Sequence, residues 1–173
     1  MDQRRLDKTY LNMAEELANL SYAKKKKVGA LIVQGTHIIS EGYNGTLRGF
    51  DNVCEEIHQE ELMVPPVKEF IEKRRKEGIG EDTLLEELSK KYPYEVRTLP
   101  QVLHAESNAI TKLAKSTQSS QGATLYCTLN PCFDCALLII QAGIKRVVYR
   151  EEYKDMEEAM EILKEAGVEI VKK

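Results

Sequence analysis

The sequence predicts an α/β fold of three layers, a mixed five-stranded sheet with helices on both faces. Three observations carry this. Two apolar, β-branched runs near the start are separated by only Gly35 and Thr36, a connection short enough to demand an antiparallel hairpin. From His104 onward helical and strand-like patterns alternate, which in one sheet means right-handed crossovers and parallel neighbours. A segment with apolar residues at helical spacing precedes the hairpin and can cover one sheet face.

Taken in order, Leu6 to about Tyr22 carries Leu6, Tyr10, Met13, Leu17 and Leu20 on one helical stripe. Four lysines, Lys24 to Lys27, follow. Val28–Gln34 reads as a buried strand and His37–Tyr43 as its partner. Asn44 to Gly49 is a glycine-containing loop. Between Phe50 and Pro100 the chain becomes dense in Glu, Lys and Arg and holds four of the five prolines. Two short helical patterns lie there, at 67–78 and 81–92. This stretch reads as a helical segment inserted into one domain spanning 1–173, too short and too polar to bury a core of its own. Regular alternation resumes with a helix over 104–116, a strand over Ala123–Thr128 and a helix from Cys132 to about Gln141. A strand over 145–150, a helix over 155–167 ending at the C-cap glycine Gly167, and a last strand over 168–171 complete the pattern.

Composition bounds the function. The chain has 173 residues, 42% apolar and 31% charged, with a formal net charge of −3. No overall positive field exists to hold duplex nucleic acid. No apolar run reaches membrane-spanning length, and the charged start "MDQRRLDKTY" fits no signal or transit peptide. A cytoplasmic location is expected, where thiols stay reduced.

That matters for Cys132 and Cys135, which sit three apart after Pro131 at a helix start. A disulfide, a redox pair and half of a metal site are all open. Reducing surroundings disfavour the first. The late position in the chain disfavours the second, because redox pairs usually follow the first strand of their fold. The third needs a partner, and His104 opens another helix that feeds the same sheet. His104, Cys132 and Cys135 make three ligands with no evident fourth, the arrangement of a catalytic rather than a structural zinc. Helix N-termini favour thiolates, and two thiolates with an imidazole select zinc over magnesium or calcium. Glu106 is placed to act as a proton shuttle beside zinc-activated water. One geometric condition attaches: positions i and i+2 of an ideal helix point apart, so His104 must lie at the irregular first turn. A structural zinc completed by Cys127 or Cys54 is the plainer alternative. Cys127, in an apolar strand, reads as a core thiol. Cys54 with His58 one turn later has ligand-like spacing, though an exposed helical pair explains it more simply.

The order His-Ala-Glu … Pro-Cys-x-x-Cys is that of the zinc nucleobase deaminases. With "KKVGALIV", "EGYNG", "HAESNAI", "LYCTLNPCFDCALLIIQAGIKRVVY" and "EEY", the chain resembles the deoxycytidylate deaminases of the cytidine and deoxycytidylate deaminase superfamily. The resemblance implies a cytidine-deaminase-like five-stranded fold and the hydrolysis of dCMP to dUMP and ammonia for thymidylate synthesis. It implies one catalytic Zn2+ on His104, Cys132 and Cys135, with Glu106 catalytic. It implies contacts of Asn44 with deoxyribose and of the Ala105 backbone with the pyrimidine, Asn108 bracing the Asn44 loop, and Tyr153 packing near substrate. Ser21 and Lys25 would meet the 5′-phosphate, although the lysine run also suits the end of the first helix. Activation by dCTP, with Mg2+ accompanying it, inhibition by dTTP, and a homo-oligomer, in particular a hexamer, are implied as well. Asn44, Gly45 and Arg48 are the effector candidates. Ala23 stands where some phage members carry a cysteine that binds a further zinc. Two other readings stay open: a deaminase of another base, whether in nucleic acid or in riboflavin synthesis, and a non-catalytic zinc module.

Overall fold

The computed structural model describes residues 2–57, 64–92, 96–153 and 156–173. Its elements run α1 (Gln3–Ala18), β1 (Gly29–Gln34), β2 (His37–Tyr43), β3 (Gly45–Thr46), β4 (Glu55–Ile57), α2 (Pro65–Lys76), α3 (Glu81–Lys91) and β5 (Val96–Thr98). They continue with β6 (Val102–Leu103), α4 (Ala105–Leu113), β7 (Thr124–Leu129), α5 (Phe133–Gln141), β8 (Arg146–Glu151), α6 (Glu157–Glu165) and β9 (Glu169–Lys172). The expected Cys54–His58 pair reaches beyond the described residues at His58.

The main sheet has the order β2-β1-β7-β8-β9. β1 runs antiparallel to both β2 and β7, while β7, β8 and β9 are parallel. The hairpin turns at Gly35, whose φ of 62° is the left-handed conformation that a two-residue turn needs. Side chains alternate between the faces as the pleat demands. Leu31, Val33, Tyr126 and Val148 point to one side, where Tyr10, Leu11 and Ala14 of α1 cover them. Ala30, Ile32, Leu125, Cys127 and Val147 point to the other, under Ala105 and Ala109 of α4, Ala136 and Ile139 of α5, and Ala159 and Leu163 of α6. Each fully buried leucine or isoleucine here is worth about 1.5–3 kcal/mol relative to exposure. α1 stops at Ala18, short of the Tyr22 suggested by spacing, because Leu20 and Tyr22 are exposed and offer nothing to bury.

The chain forms two compact units, residues 53–100 and the remainder. The smaller unit corrects the expectation that it buries no core. Val67 and Ile71 of α2 close on Leu84 and Leu88 of α3, with Phe70 edge-on to Tyr92 at 5.9 Å. β4 and β5 pair beside them, antiparallel. The apolar residues are few, but α2 and α3 each concentrate theirs on one stripe, which sufficed for a small closed cluster.

A buried charge ties α1 to the sheet. Asp7 accepts both Arg146 guanidinium nitrogens, at 2.8 and 2.9 Å, and also the Tyr126 hydroxyl at 3.0 Å and the Gln3 amide at 2.9 Å. Burial alone would push its carboxyl up. The hydrogen bonds from Arg146, Gln3 and Tyr126 overturn that and hold it well below the usual carboxylate range. We expect Asp7→Ala to cost about 3–5 kcal/mol at neutral pH, because Arg146 loses its buried partner, read from the urea midpoint. The folded-state pKa lies below the unfolded one. The ionic contribution is therefore complete above about pH 4 and is lost as pH falls further. The stability gap between wild type and variant should stay constant near neutrality and narrow in acid.

Candidate active site

Two helix starts meet at one point. His104 is the N-cap of α4, with extended backbone at φ −71°, ψ 156°, and Cys132 is the N-cap of α5 at φ −76°, ψ 171°. Cys135 follows one turn into α5. The geometric condition on His104 is thereby met: it lies outside the helix, so its ring and the Glu106 side chain are not held on opposite helical faces. His104 Nδ1 is 3.3 Å from Cys132 Sγ and 3.4 Å from Cys135 Sγ, and all three donor atoms lie within 4.8 Å of one another. The edges of a tetrahedral zinc site with ordinary Zn–N and Zn–S bonds are about 3.5–3.8 Å. The residues therefore fit that ion. Among the described residues neither Cys127 nor Cys54 joins the group, and none of the four cysteines is in a disulfide.

The electrostatics suit a cation. The hydrogen bond from Cys135 to Cys132 outweighs burial, and with His104 beside it draws the Cys132 thiol down to about 4. The same bond, together with burial, pushes Cys135 up. The Cys132 thiolate in turn raises His104. A divalent cation binds cysteine as the thiolate and displaces thiol protons when it does so. Glu106, in the first turn of α4, is only 3% exposed, and burial pushes its carboxyl up. Cys127 is fully buried behind it, its thiol raised by burial and by the Glu106 charge.

The loops around this centre are braced through Asn44. Its Oδ1 accepts the Val28 N–H and its Nδ2 donates to the Lys26 carbonyl, each at 2.8 Å. Its carbonyl accepts the Ser21 hydroxyl at 2.7 Å. Asn108 Nδ2 donates to the Tyr43 carbonyl at 2.9 Å, bracing that loop. Ser21 is 3% exposed, and its hydroxyl donates to the Asn44 carbonyl. Lys25 and Lys26 are both exposed, and Lys26 pairs with Glu151. Ala105 is the first residue of α4, and no side chain caps that end, so its N–H has no intrahelical partner. Gly45 pairs with Leu103, next to His104, while Arg48 is exposed on the following turn. Tyr153 follows β8 and is 48% exposed.

Gly42 holds a place that motif reading did not assign. A Cβ there would lie 2.3 Å from the Ala105 carbonyl oxygen and 2.6 Å from the Ala109 nitrogen. Only glycine lets β2 approach the start of α4 so closely. The signal was present in the sequence as Ala105 and Ala109, two small residues four apart on one helical face.

The fold and this site define a class: three-layer α/β/α proteins in which two helix starts present His, Cys and Cys to one metal beside a buried glutamate. The chain belongs to the cytidine and deoxycytidylate deaminase zinc-binding family, whose pattern matches residues 4–151. It is 35% identical to the deoxycytidylate deaminase of Enterobacteria phage T4, over 94% of this chain and 86% of that protein. It superposes on the dCMP deaminase of cyanophage S-TIM5, solved with dCMP and dUMP, with a TM-score of 0.71 and 34% identity, covering 98% and 97% of the two chains. A diaminohydroxyphosphoribosylaminopyrimidine deaminase/reductase of Thermotoga maritima, at 22% identity and a TM-score of 0.62, shares the fold.

Gly42→Ala should displace the start of α4, cost about 3 kcal/mol and lower the zinc content of the purified protein. Gly45→Ala, where the added methyl meets open space, should keep the wild-type melting temperature. Metal analysis and thermal melts read both.

Proposed function

We propose that this chain is a zinc-dependent hydrolase that converts dCMP to dUMP and ammonia. The observation that carries the reading is the His104–Cys132–Cys135 cluster with its three donors and the buried Glu106 two residues from His104. The relatives named above, deoxycytidylate deaminases at similar length, support the choice of base and nucleotide. Bound zinc supplies a Lewis acid that lowers the pKa of water from about 15.7 towards 7. Glu106 would take one water proton at its carboxylate, kept dry by burial, and pass it to the ring nitrogen, then carry the second, from the hydroxyl formed on the ring carbon, to the departing amine. The water oxygen bonds to the carbon that loses ammonia. The free N–H at the start of α4, at Ala105, serves the pyrimidine carbonyl.

Asn44 retains one Nδ2 hydrogen and one Oδ1 lone pair beyond its two bonds to the backbone, enough to meet a deoxyribose hydroxyl. Lys25 meets the 5′-phosphate and Tyr153 lines the mouth. The reading extends to a cytoplasmic homo-oligomer, a hexamer, that feeds thymidylate synthesis. There dCTP with Mg2+ activates and dTTP inhibits through Asn44, Gly45 and Arg48. The balance of charge, −3 overall, favours a free nucleotide over a nucleic acid.

Glu106→Gln should hold about one zinc per chain and lose at least about 10³-fold in kcat. Full activity in that variant would remove the shuttle. In a panel of cytosine, cytidine, CMP and dCMP, kcat/KM should be highest for dCMP. dCTP should raise and dTTP suppress turnover at low substrate. Equal values for cytosine and dCMP would eliminate phosphate recognition, and indifference to both triphosphates would eliminate the regulation.

A further inference from the structure

Asn130 lies between β7 and Pro131, two residues before Cys132, and is only 6% exposed. A buried amide must spend its hydrogen bonds on something. Its N–H donates to the Glu151 carbonyl at 3.0 Å, and its side-chain Oδ1 accepts the Tyr153 N–H at 2.6 Å. The two contacts clamp residues 151 and 153 to the strand end that leads into the metal cluster. The segment is also held by its side chains, since Glu151 pairs with Lys26 and Glu152 with Lys172. One group is left uncommitted. The Tyr153 ring is half exposed, and its phenol makes no hydrogen bond among the described residues.

Geometry says where the Tyr153 backbone stands. The Cα path from Asn130 to Cys132 is at most about 7.6 Å, and Tyr153 is bonded directly to Asn130. β7 and β8 are parallel, and crevices at the carboxyl ends of parallel strands are where α/β proteins bind ligands. An aromatic with a fixed backbone and an idle, amphipathic face at such a place contributes contact area at little entropic cost.

We propose that Asn130 is a positioning residue that fixes the Tyr153 backbone so that its ring forms one wall of the pyrimidine nucleotide site. The proposal rests on the deaminase reading above. Because the ring meets substrate and transition state alike, loosening it raises KM and leaves kcat nearly unchanged.

The experiment compares Asn130→Ala, Asn130→Asp, Tyr153→Ala and the double variant Asn130→Ala/Tyr153→Ala. Amide hydrogen exchange of the 151–153 segment is followed together with steady-state turnover of dCMP and zinc content. With alanine at 130, exchange should quicken about tenfold, the equivalent of one hydrogen bond. KM should rise by about the same factor, with zinc retained. Aspartate keeps the acceptor oxygen and should restore both, which separates a lost bond from a damaged fold. In the Tyr153→Ala background, Asn130→Ala should add less than about twofold. The proposal falls if exchange and KM ignore Asn130→Ala, if aspartate fails to restore them, or if the two single losses multiply in the double variant. A wild-type protein inert towards dCMP would instead refute the deaminase reading, while the exchange data would still report on the clamp.

Discussion

The site depends on a single close approach, that of β2 to the start of α4 across Gly42. The contact between a glycine and a pair of helix alanines sets how far α4 lies from the sheet. That distance decides whether the imidazole of His104 can reach the two sulfurs that α5 presents. Two helix N-termini then point at one small volume, and their partial positive charge favours the thiolate held there. Donor atoms packed this tightly would repel one another if all were deprotonated and nothing lay between them.

The surroundings of the cluster form a chain of loops. The Ser21 hydroxyl bonds to Asn44, Asn44 holds the backbone of Lys26 and Val28, Lys26 pairs with Glu151, and Glu151 accepts from Asn130. Four segments distant in sequence are joined in this way at the ends of the strands. Most of these bonds involve the backbone, so they fix where loops run and leave neighbouring side chains, Lys25 and the Tyr153 ring, facing solvent. On the opposite face, Asp7 and Arg146 anchor α1 to the start of β8. The catalytic side of the sheet therefore carries polar bonds in its loops, and the far side carries a polar bond in its core.

Much of this could be read from residues alone. The hairpin followed from a two-residue gap, and the parallel strands from alternation after His104. The metal cluster followed from residue types and order. Less legible was anything set by a contact between segments distant in sequence. Ser21 is a phosphate-contact candidate only through the family resemblance, by its place just before the first strand. That its proton goes to a carbonyl 23 residues away is a tertiary fact. Gly42 belonged to a quoted motif, yet its reason for being glycine lies in α4. The insert is polar on average, which hides the four apolar residues that α2 and α3 place face to face. Asn130 carried only a weak local sign, a turn-prone residue before proline, while both partners that give it meaning come 20 or so residues later.

The short ladder between β3 and β6 has a consequence for how this protein can change. Gly45 pairs with Leu103 and Thr46 with Val102, so the points where the chain leaves and rejoins the main unit are stitched together directly ahead of His104. Whatever length of chain runs between them, the loop is closed at its neck by backbone hydrogen bonds just ahead of the imidazole, so the ends of that excursion are held by the main unit itself.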